Sequence, residues 1–288
     1  EDLNMSVSNK SAFQKIVCFS KATKVSFGFL AFLSLIAITL PFLSFLDPNS
    51  FDPNQFLNPK APSLRHWFGT DDLNRDLLLR CLAGARISLS VGLISVGISS
   101  TIGTLYGLIS GYLGGKLDEF LMRLVDLFMA IPSIFLILSI QIILTPSIFN
   151  VMIVIGLTSW MGVARLVRAE VLSVKERAFV QAAKARGLSQ KALILRYIMP
   201  HTLSPVIVAS TLGIGSAIVT ESVLSFLGLG VQPPHASWGN MLENSLSYMQ
   251  DAPWMTLCPG LCITFTVLAF NFIGDGLRSV LNPRELNA

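Results

Sequence analysis

From Leu127 to Ala164 the chain carries no charged side chain, and that stretch restricts the possible folds more than any other feature. As one α-helix rising about 1.5 Å per residue it would be nearly twice as long as the roughly 30 Å hydrocarbon core of a bilayer is thick. It must fold back on itself, and Thr145-Pro146-Ser147 supplies the natural turn. Further apolar runs occupy Val25 to Leu46, Ile87 to Gly115 (with an end near Gly111, Gly114 and Gly115), Leu203 to Leu227, and Trp254 to Phe272. Such long, uniformly apolar runs do not match the alternating strands of a membrane barrel, and a backbone in lipid must satisfy its own hydrogen bonds. The expected fold class is all-α: a polytopic membrane protein with six transmembrane helices.

Composition agrees, because 52% of the residues are apolar and only 13% charged, against about a quarter in soluble domains. The bases cluster in short segments, which sets orientation and argues against nucleic acid as a partner. An inside amino terminus puts Lys10, Lys15, Lys21, Lys24, Lys116, Arg123, Arg278, Arg284 and the bases between Arg165 and Arg196 on the cytoplasmic side. The other side receives Lys60, Arg65, Arg75, Arg80 and Arg86, offset by Asp47, Asp52, Asp71, Asp72 and Asp76. Both termini are expected in the cytoplasm. The first run has membrane-spanning length and lacks a small-residue cleavage site, so it is expected to be retained. The expected organisation is a cytoplasmic segment at 1–24, a first helix with an extracytoplasmic loop at 25–85, and a five-helix core at 86–284 that contains a polar loop at 165–201.

Catalytic and metal chemistry find little support. Cys18, Cys81, Cys258 and Cys262 lack paired metal spacing, and His66, His201 and His235 have no ligand partners nearby in sequence. Gly115-Lys116 is followed by Leu117, with Ser110 where a phosphate-binding loop needs its first glycine, so no ATP site is expected in this chain. A membrane-embedded hydrolase would need a nucleophile beside a base, and no histidine lies within a span. Glu221 sits near the outer end of the fifth run, where it belongs either to a translocation path or to a structural hydrogen bond. Asp126 and Asp275 are read as helix-end residues near Arg123 and Arg278. Gly103, Gly107 and Gly111 are read as a packing stripe, and Pro132, Pro205 and Pro259 as kinks.

The polar segment from Arg165 to His201 is long for a connection inside a helical bundle. Helix formers run from Lys175 to Arg186, with Phe179, Ala182, Ala183 and Arg186 at helical spacings. Gly187 is expected as a C-cap, Ser189 as an N-cap, and Pro200 as the end of a second helix. Two short helices joined at a tight corner make a protruding knob.

Gln181-Ala182-Ala183-x3-Gly187-x9-Tyr197-x-Met199-Pro200 resembles the Glu-Ala-Ala-x3-Gly-x9-Ile-x-Leu-Pro loop of ABC importer permeases, departing from it at Gln181, Tyr197 and Met199. The string His66-Trp67-Phe68-Gly69-Thr70-Asp71-x3-Arg75-Asp76-x3-Arg80-x3-Gly84-x-Arg86-x-Ser88-Leu89 resembles the oligopeptide/dipeptide branch of that family. So do Leu224 to Pro234 with Trp238-Gly239-Asn240-Met241-Leu242, and Asp275-Gly276-Leu277-Arg278 with Asn282-Pro283-Arg284. Family members more often carry glycine at the position of Asn74, a small polar residue at Leu79 and aspartate at Asn282.

The resemblance implies the type I ABC importer permease fold in the bacterial cytoplasmic (inner) membrane, and a non-catalytic subunit that moves oligopeptides or dipeptides. It implies that Gln181, Ala182, Ala183, Arg186, Gly187, Tyr197, Met199 and Pro200 form a coupling loop; the residues themselves agree, since paired small residues permit close approach and Lys184 and Arg186 can meet an acidic groove rim. It further implies a second homologous permease, two ATPase subunits that bind ATP and Mg, and an extracytoplasmic peptide-binding protein. An ion-gradient-driven secondary transporter is the alternative; it would need paired intramembrane acids and matching halves, and only Glu221 is present.

Overall fold

The computed structural model describes residues 19–42, 47–50 and 58–281; Lys10, Lys15, Cys18, Asp52 and the Asn282-Pro283-Arg284 string lie outside the described residues. Helix α1 (Lys21–Thr39) starts where the Ser20 hydroxyl accepts the Thr23 amide at 3.1 Å, and it ends in a 3₁₀ turn at Leu40–Phe42. Helix α2 (Leu77–Leu113) has 37 residues, about 55 Å of helix. It begins well before the uncharged run, because Asp76 caps it by accepting the Leu79 amide at 3.0 Å and Asp71 neutralises Arg80 within its first turns.

Helices α3 (Gly115–Met129) and α4 (Ser133–Ile143) form one crossing bent by 78°. The third crossing thus starts at Gly115 rather than Leu127, and the bend falls at Pro132, which has no amide to donate. Thr145-Pro146-Ser147 makes the expected turn into α5 (Ile148–Lys175). Then follow α6 (Ala178–Ala185), α7 (Gln190–Leu193), a π turn at Ile194–Ile198, α8 (Met199–Phe226), α9 (Trp238–Ser245) and α10 (Trp254–Leu281). Five long helices and the bent pair give six crossings among the described residues. Phe32, Phe135, Ile143, Leu157 and Phe265 point outward, as lipid-facing side chains do.

Helices α2 and α5 form the spine. A Cβ on Gly103 would lie 2.6 Å from Val163 Cβ, one on Gly107 2.5 Å from the Ala164 carbonyl oxygen, and one on Gly111 2.9 Å from Val171 Cβ. The stripe therefore packs within the chain. Lipid tails are as apolar as leucine, so helix association in a bilayer rests on close packing and hydrogen bonds, and glycine permits the closest approach. The same device recurs where α8 crosses α2 at Gly92, 2.9 Å from Ile214 Cγ2, and where α10 crosses α8 at Gly274, 2.6 Å from Leu212 Cδ2.

At the end away from the knob, residues 58–76 fold over the start of α2. The Asp71 carboxylate accepts the Arg75 guanidinium at 2.7 Å and the Leu73 and Arg75 amides at 3.0 and 2.9 Å, with Arg80 at 3.2 Å. The turn requires a left-handed residue at Asn74 (φ 63°). Asparagine tolerates that conformation better than other residues with a side chain, so it can stand where glycine would be the ordinary choice. Gly69 is also left-handed, and a Cβ there would sit 2.6 Å from the Lys60 carbonyl oxygen. Burial and the neighbouring Asp71 raise the Asp72 carboxyl above the ordinary aspartate range, and its Oδ1 has no hydrogen-bond partner.

Two outcomes follow. Gly107→Val should lower stability by roughly 1–3 kcal/mol through overpacking, while Gly97→Val, whose Cβ would meet nothing within 4 Å, should not; unfolding midpoints in detergent compare them. Asp72 binds its proton more tightly folded than unfolded, so its contribution to stability falls as pH rises from the unfolded value of 3.8 through the raised folded one. Asp72→Asn should therefore raise the midpoint at pH 7 relative to the parent, and the difference should vanish below the unfolded value.

Candidate functional site

The polar segment is only partly a loop. Arg165 to Lys175 continues α5 as helix, so the knob proper starts at Glu176. Helix α6 presents two faces. Val180 and Ala183 are buried at 3% and 4% exposure, and Val180 joins a cluster with Leu108, Val171, Val174 and Ile198. Tyr197 and Met199 pack against that cluster from the far side of the knob. Gln181, Ala182, Lys184, Ala185, Arg186 and Phe179 are exposed. Of Phe179, Ala182, Ala183 and Arg186, which lie at helical spacings, Ala183 alone is turned in.

Gln181 sits close to the root of the knob. Its Nε2 donates to the carbonyl of Lys175, the last residue of α5, at 2.9 Å. A helix end leaves its final carbonyls unsatisfied and carries partial negative charge, so an amide donor suits this place where a carboxylate could not donate. The departure from the glutamate of the resembling pattern is thereby accounted for by a local bond.

The corner closes on Gly187, at φ 78°. The Gly187 amide donates to the Lys184 carbonyl at 3.0 Å and the Leu188 amide to the Ala183 carbonyl at 3.4 Å, which satisfies the end of α6 in a Schellman-like turn. A Cβ on Gly187 would meet nothing within 4 Å. Backbone conformation, not crowding, demands glycine here, and the space around the tip is open. Ser189 caps α7 by accepting the Ala192 amide at 3.4 Å.

Pro200 does not end the second helix as expected. The Met199 amide bonds to the Ile194 carbonyl across the π turn, and Pro200 occupies the first turn of α8, where a missing amide costs nothing. The knob is thereby continuous with the fifth crossing. A cavity of about 450 Å³ lies between the knob and the end of α2, lined in part by Tyr112, Lys175, Gln181, Lys184 and Leu193.

Sequence reasoning missed the clamp beneath the knob. Asp118, in the first turn of α3, accepts Arg168 Nε at 2.6 Å and Nη2 at 2.7 Å, and also accepts the Ser110 hydroxyl. Lys175 Nζ donates to the Tyr112 carbonyl at 3.4 Å. These bonds tie the ends of α2, α3 and α5 together. A readable signal was an acid three residues after Gly115, since the first turn of a helix favours negative charge. Nor does Asp126 pair with Arg123: it bonds Arg165, while Arg123 holds Glu119 at 2.9 Å.

Glu221 is fully buried. It accepts Ser225 Oγ at 2.7 Å, Ser88 Oγ at 3.3 Å and Ser222 Oγ at 3.5 Å, contacts that link α8 to α2. Helix α9 closes over it: a Cβ on Gly239 would lie 2.6 Å from Ser222 Cα, and the buried Trp238 ring donates to the Cys81 carbonyl at 2.9 Å. These are the surroundings of an internal anchor.

Residues 103–287 match the family model described as binding-protein-dependent transport system inner membrane component. The chain is 44% identical over 250 residues to a dipeptide transport system permease protein of Alkalihalophilus pseudofirmus, covering 87% of this chain and 82% of that one. It is 40% identical over 268 residues to an oligopeptide transport system permease protein of Haemophilus influenzae, covering 92% and 86%. A glutathione transport system permease protein of Escherichia coli is 41% identical over 257 residues, covering 88% and 84%. The fold is similar to a chain of the MetNI methionine ABC transporter in an inward-facing conformation, with a TM-score of 0.61 at 16% identity, over 71% of this chain and 97% of that one.

Asp118→Asn should remove the charged fork to Arg168 and lower stability by about 1–3 kcal/mol. Hydrogen exchange should show it as faster exchange confined to the start of α3 and the adjoining turn of α5, with the α2–α8 contacts unchanged.

Proposed function

This chain belongs to the family of binding-protein-dependent transport inner-membrane components, as a permease subunit of the oligopeptide/dipeptide branch of ABC importers, and from that premise we propose how it works. It forms half of a translocation path for oligopeptides or dipeptides and takes its drive from ATPase subunits through the knob around Gly187. A second, homologous permease supplies the other half. An extracytoplasmic peptide-binding protein delivers cargo, and two ATPase subunits bind the ATP and Mg. The membrane is the bacterial cytoplasmic one. Both termini lie on its cytoplasmic side, as does the knob, in keeping with Lys21, Lys24, Lys116 and Arg123 at the knob end. The segment 1–24 is the cytoplasmic lead-in, 25–85 the first helix and its outer loop, and 86–284 the core.

One observation carries the coupling reading. The knob is rooted on one face by Val180, Ala183, Tyr197 and Met199, and is bare on the other at Ala182, Lys184, Arg186 and the open left-handed Gly187. Small residues let a partner's surface approach closely, and the two bases suit an acidic rim. A rooted knob passes a push to α5 and α8, and the two arrangements of the helices are the two states that partner binding selects between.

The test is co-purification from the native membrane beside a Gly187→Pro control, with associated proteins identified. Proline cannot adopt the left-handed backbone at this corner. A second permease and ATPase subunits should accompany the parent chain, and the ATPases alone should be lost from the variant. Recovery of the chain alone and stable in both samples would overturn the reading and bring forward the gradient-driven carrier.

A further inference from the structure

At mid-height of the bundle, α2, α5 and α8 enclose a cleft of about 290 Å³, near the small end of the roughly 300–1,000 Å³ typical of ligand sites. Its chemistry is unlike that of its surroundings. Ser95, Ser100, Ser159, Ser210, Ser216 and Thr220 all line it, and no charged side chain does among the described residues. The nearest acid in sequence, Glu221, turns away to Ser88 and Ser225.

Some of these hydroxyls are engaged by the bundle. Ser95 donates to the Met152 carbonyl at 2.9 Å, Thr220 to the Ser216 carbonyl at 2.9 Å, and Ser100 and Ser210 meet at 2.7 Å. Each such hydroxyl keeps acceptor capacity, because a hydroxyl offers one proton and two lone pairs. Ser159 and Ser216 are exposed. Between them these hydroxyls give the cleft a neutral, hydrogen-bonding lining within a membrane-spanning bundle. The wall is also open by construction: a Cβ on Gly162 would meet nothing within 4 Å, and Gly213 touches only Val96, at 3.4 Å.

We infer that this cleft is a cargo-binding station that recognises the neutral amide groups of a peptide main chain and not its side-chain charges. Hydroxyls both donate to C=O and accept from N–H, which fits every residue of a peptide alike, whereas a lining without charge offers no partner that would prefer a lysine or a glutamate in the cargo. The inference rests on the proposed reading of the chain as a peptide-importer subunit, and it adds where in the chain the cargo is held and by which groups.

Gly162→Leu tests it, because the added side chain grows into the cleft and not into the bundle. Gly260→Leu on α10, whose Cβ would also meet nothing within 4 Å, is the matched control. The complete transporter, with companion permease, ATPases and binding protein, is reconstituted in vesicles, and saturating ATP-driven import of radiolabelled Ala-Ala-Ala, Ala-Lys-Ala and Ala-Glu-Ala is measured. Gly162→Leu should cut maximal import of all three at least tenfold with every subunit still co-purifying, and Gly260→Leu should import like the parent. Ser159→Ala/Ser216→Ala should slow all three to a similar degree. Equal import by Gly162→Leu and Gly260→Leu would overturn the inference, as would loss of the companion permease from Gly162→Leu, which would make the cleft a subunit contact. A tenfold preference of the parent among the three peptides would overturn the main-chain mode. Import of none of them by the parent would instead sink the peptide reading itself.

Discussion

The backbone-to-backbone approach of α2 and α5 is the contact on which the other elements depend. In lipid there is no hydrophobic gain from burying one apolar helix against another, so the helices are held by dispersion at short range and by hydrogen bonds. Gly103, Gly107 and Gly111 bring α2 to within contact of the Trp160 to Val171 stretch of α5. Everything at the knob end is then placed by that seam. Tyr112 and Ser110 flank the last glycine, in reach of Lys175 and of Asp118 respectively. The cluster that roots the knob draws Leu108 from α2 and Val167, Val171 and Val174 from α5.

Polar groups inside the bundle divide by whether they have a charged partner. Asp118 and Arg168 at the knob end, and Asp71 with Arg75 and Arg80 at the other, are paired ions near the membrane boundary, where the pairing offsets the cost of burial and orders helix ends. Glu221 is deeper, and only hydroxyls approach it. It orients α8 against α2 and lets α9 close over the outer end of the pair, with Ser225 also accepting the Val231 amide at 3.0 Å. One carboxyl thus fixes three segments in a region that could not accommodate a loose charge.

The crossings were legible in the sequence because lipid imposes one strong rule, and an uncharged run too long for one helix had to turn at Thr145-Pro146-Ser147. Helix ends were less legible. Arg80 and Arg86 sit inside α2 because Asp71 and the Asp76 cap support its start, a three-dimensional arrangement that hydropathy does not register. Pro200 was misplaced for a similar reason: the π turn before it lets a new helix begin there, and in the first turn of α8 no bond is asked of the missing amide. At the knob, the pattern of small residues and Gly187 was readable, but not which residues face inward. Asp118 and Arg168 were invisible as a pair because they lie fifty positions apart.

Helix α5 joins the knob to the cleft, and its packing decides what kind of motion can pass between them. Ser159 and Gly162 line the cleft, while Val171, Val174 and the Lys175 carbonyl root the knob a few turns away on the same helix. A helix held loosely could bend and dissipate a push at the knob before it reached mid-membrane. Helix α5 is instead pressed along its knob-side half against α2, with no room for a methyl group at three successive turns, and packed seams of this kind have discrete arrangements rather than a continuum. A displacement of the knob must therefore carry α5 and α2 together as one body. Helix α8 meets the cleft through Ser210, Gly213 and Ser216, is continuous with the other arm of the knob, and is seated on α2 at Gly92 and at Glu221. Under the proposed coupling, the seam that separates α8 from the α2–α5 pair is the one whose shift would change the width of the cleft, and with it the exposure of the hydroxyls.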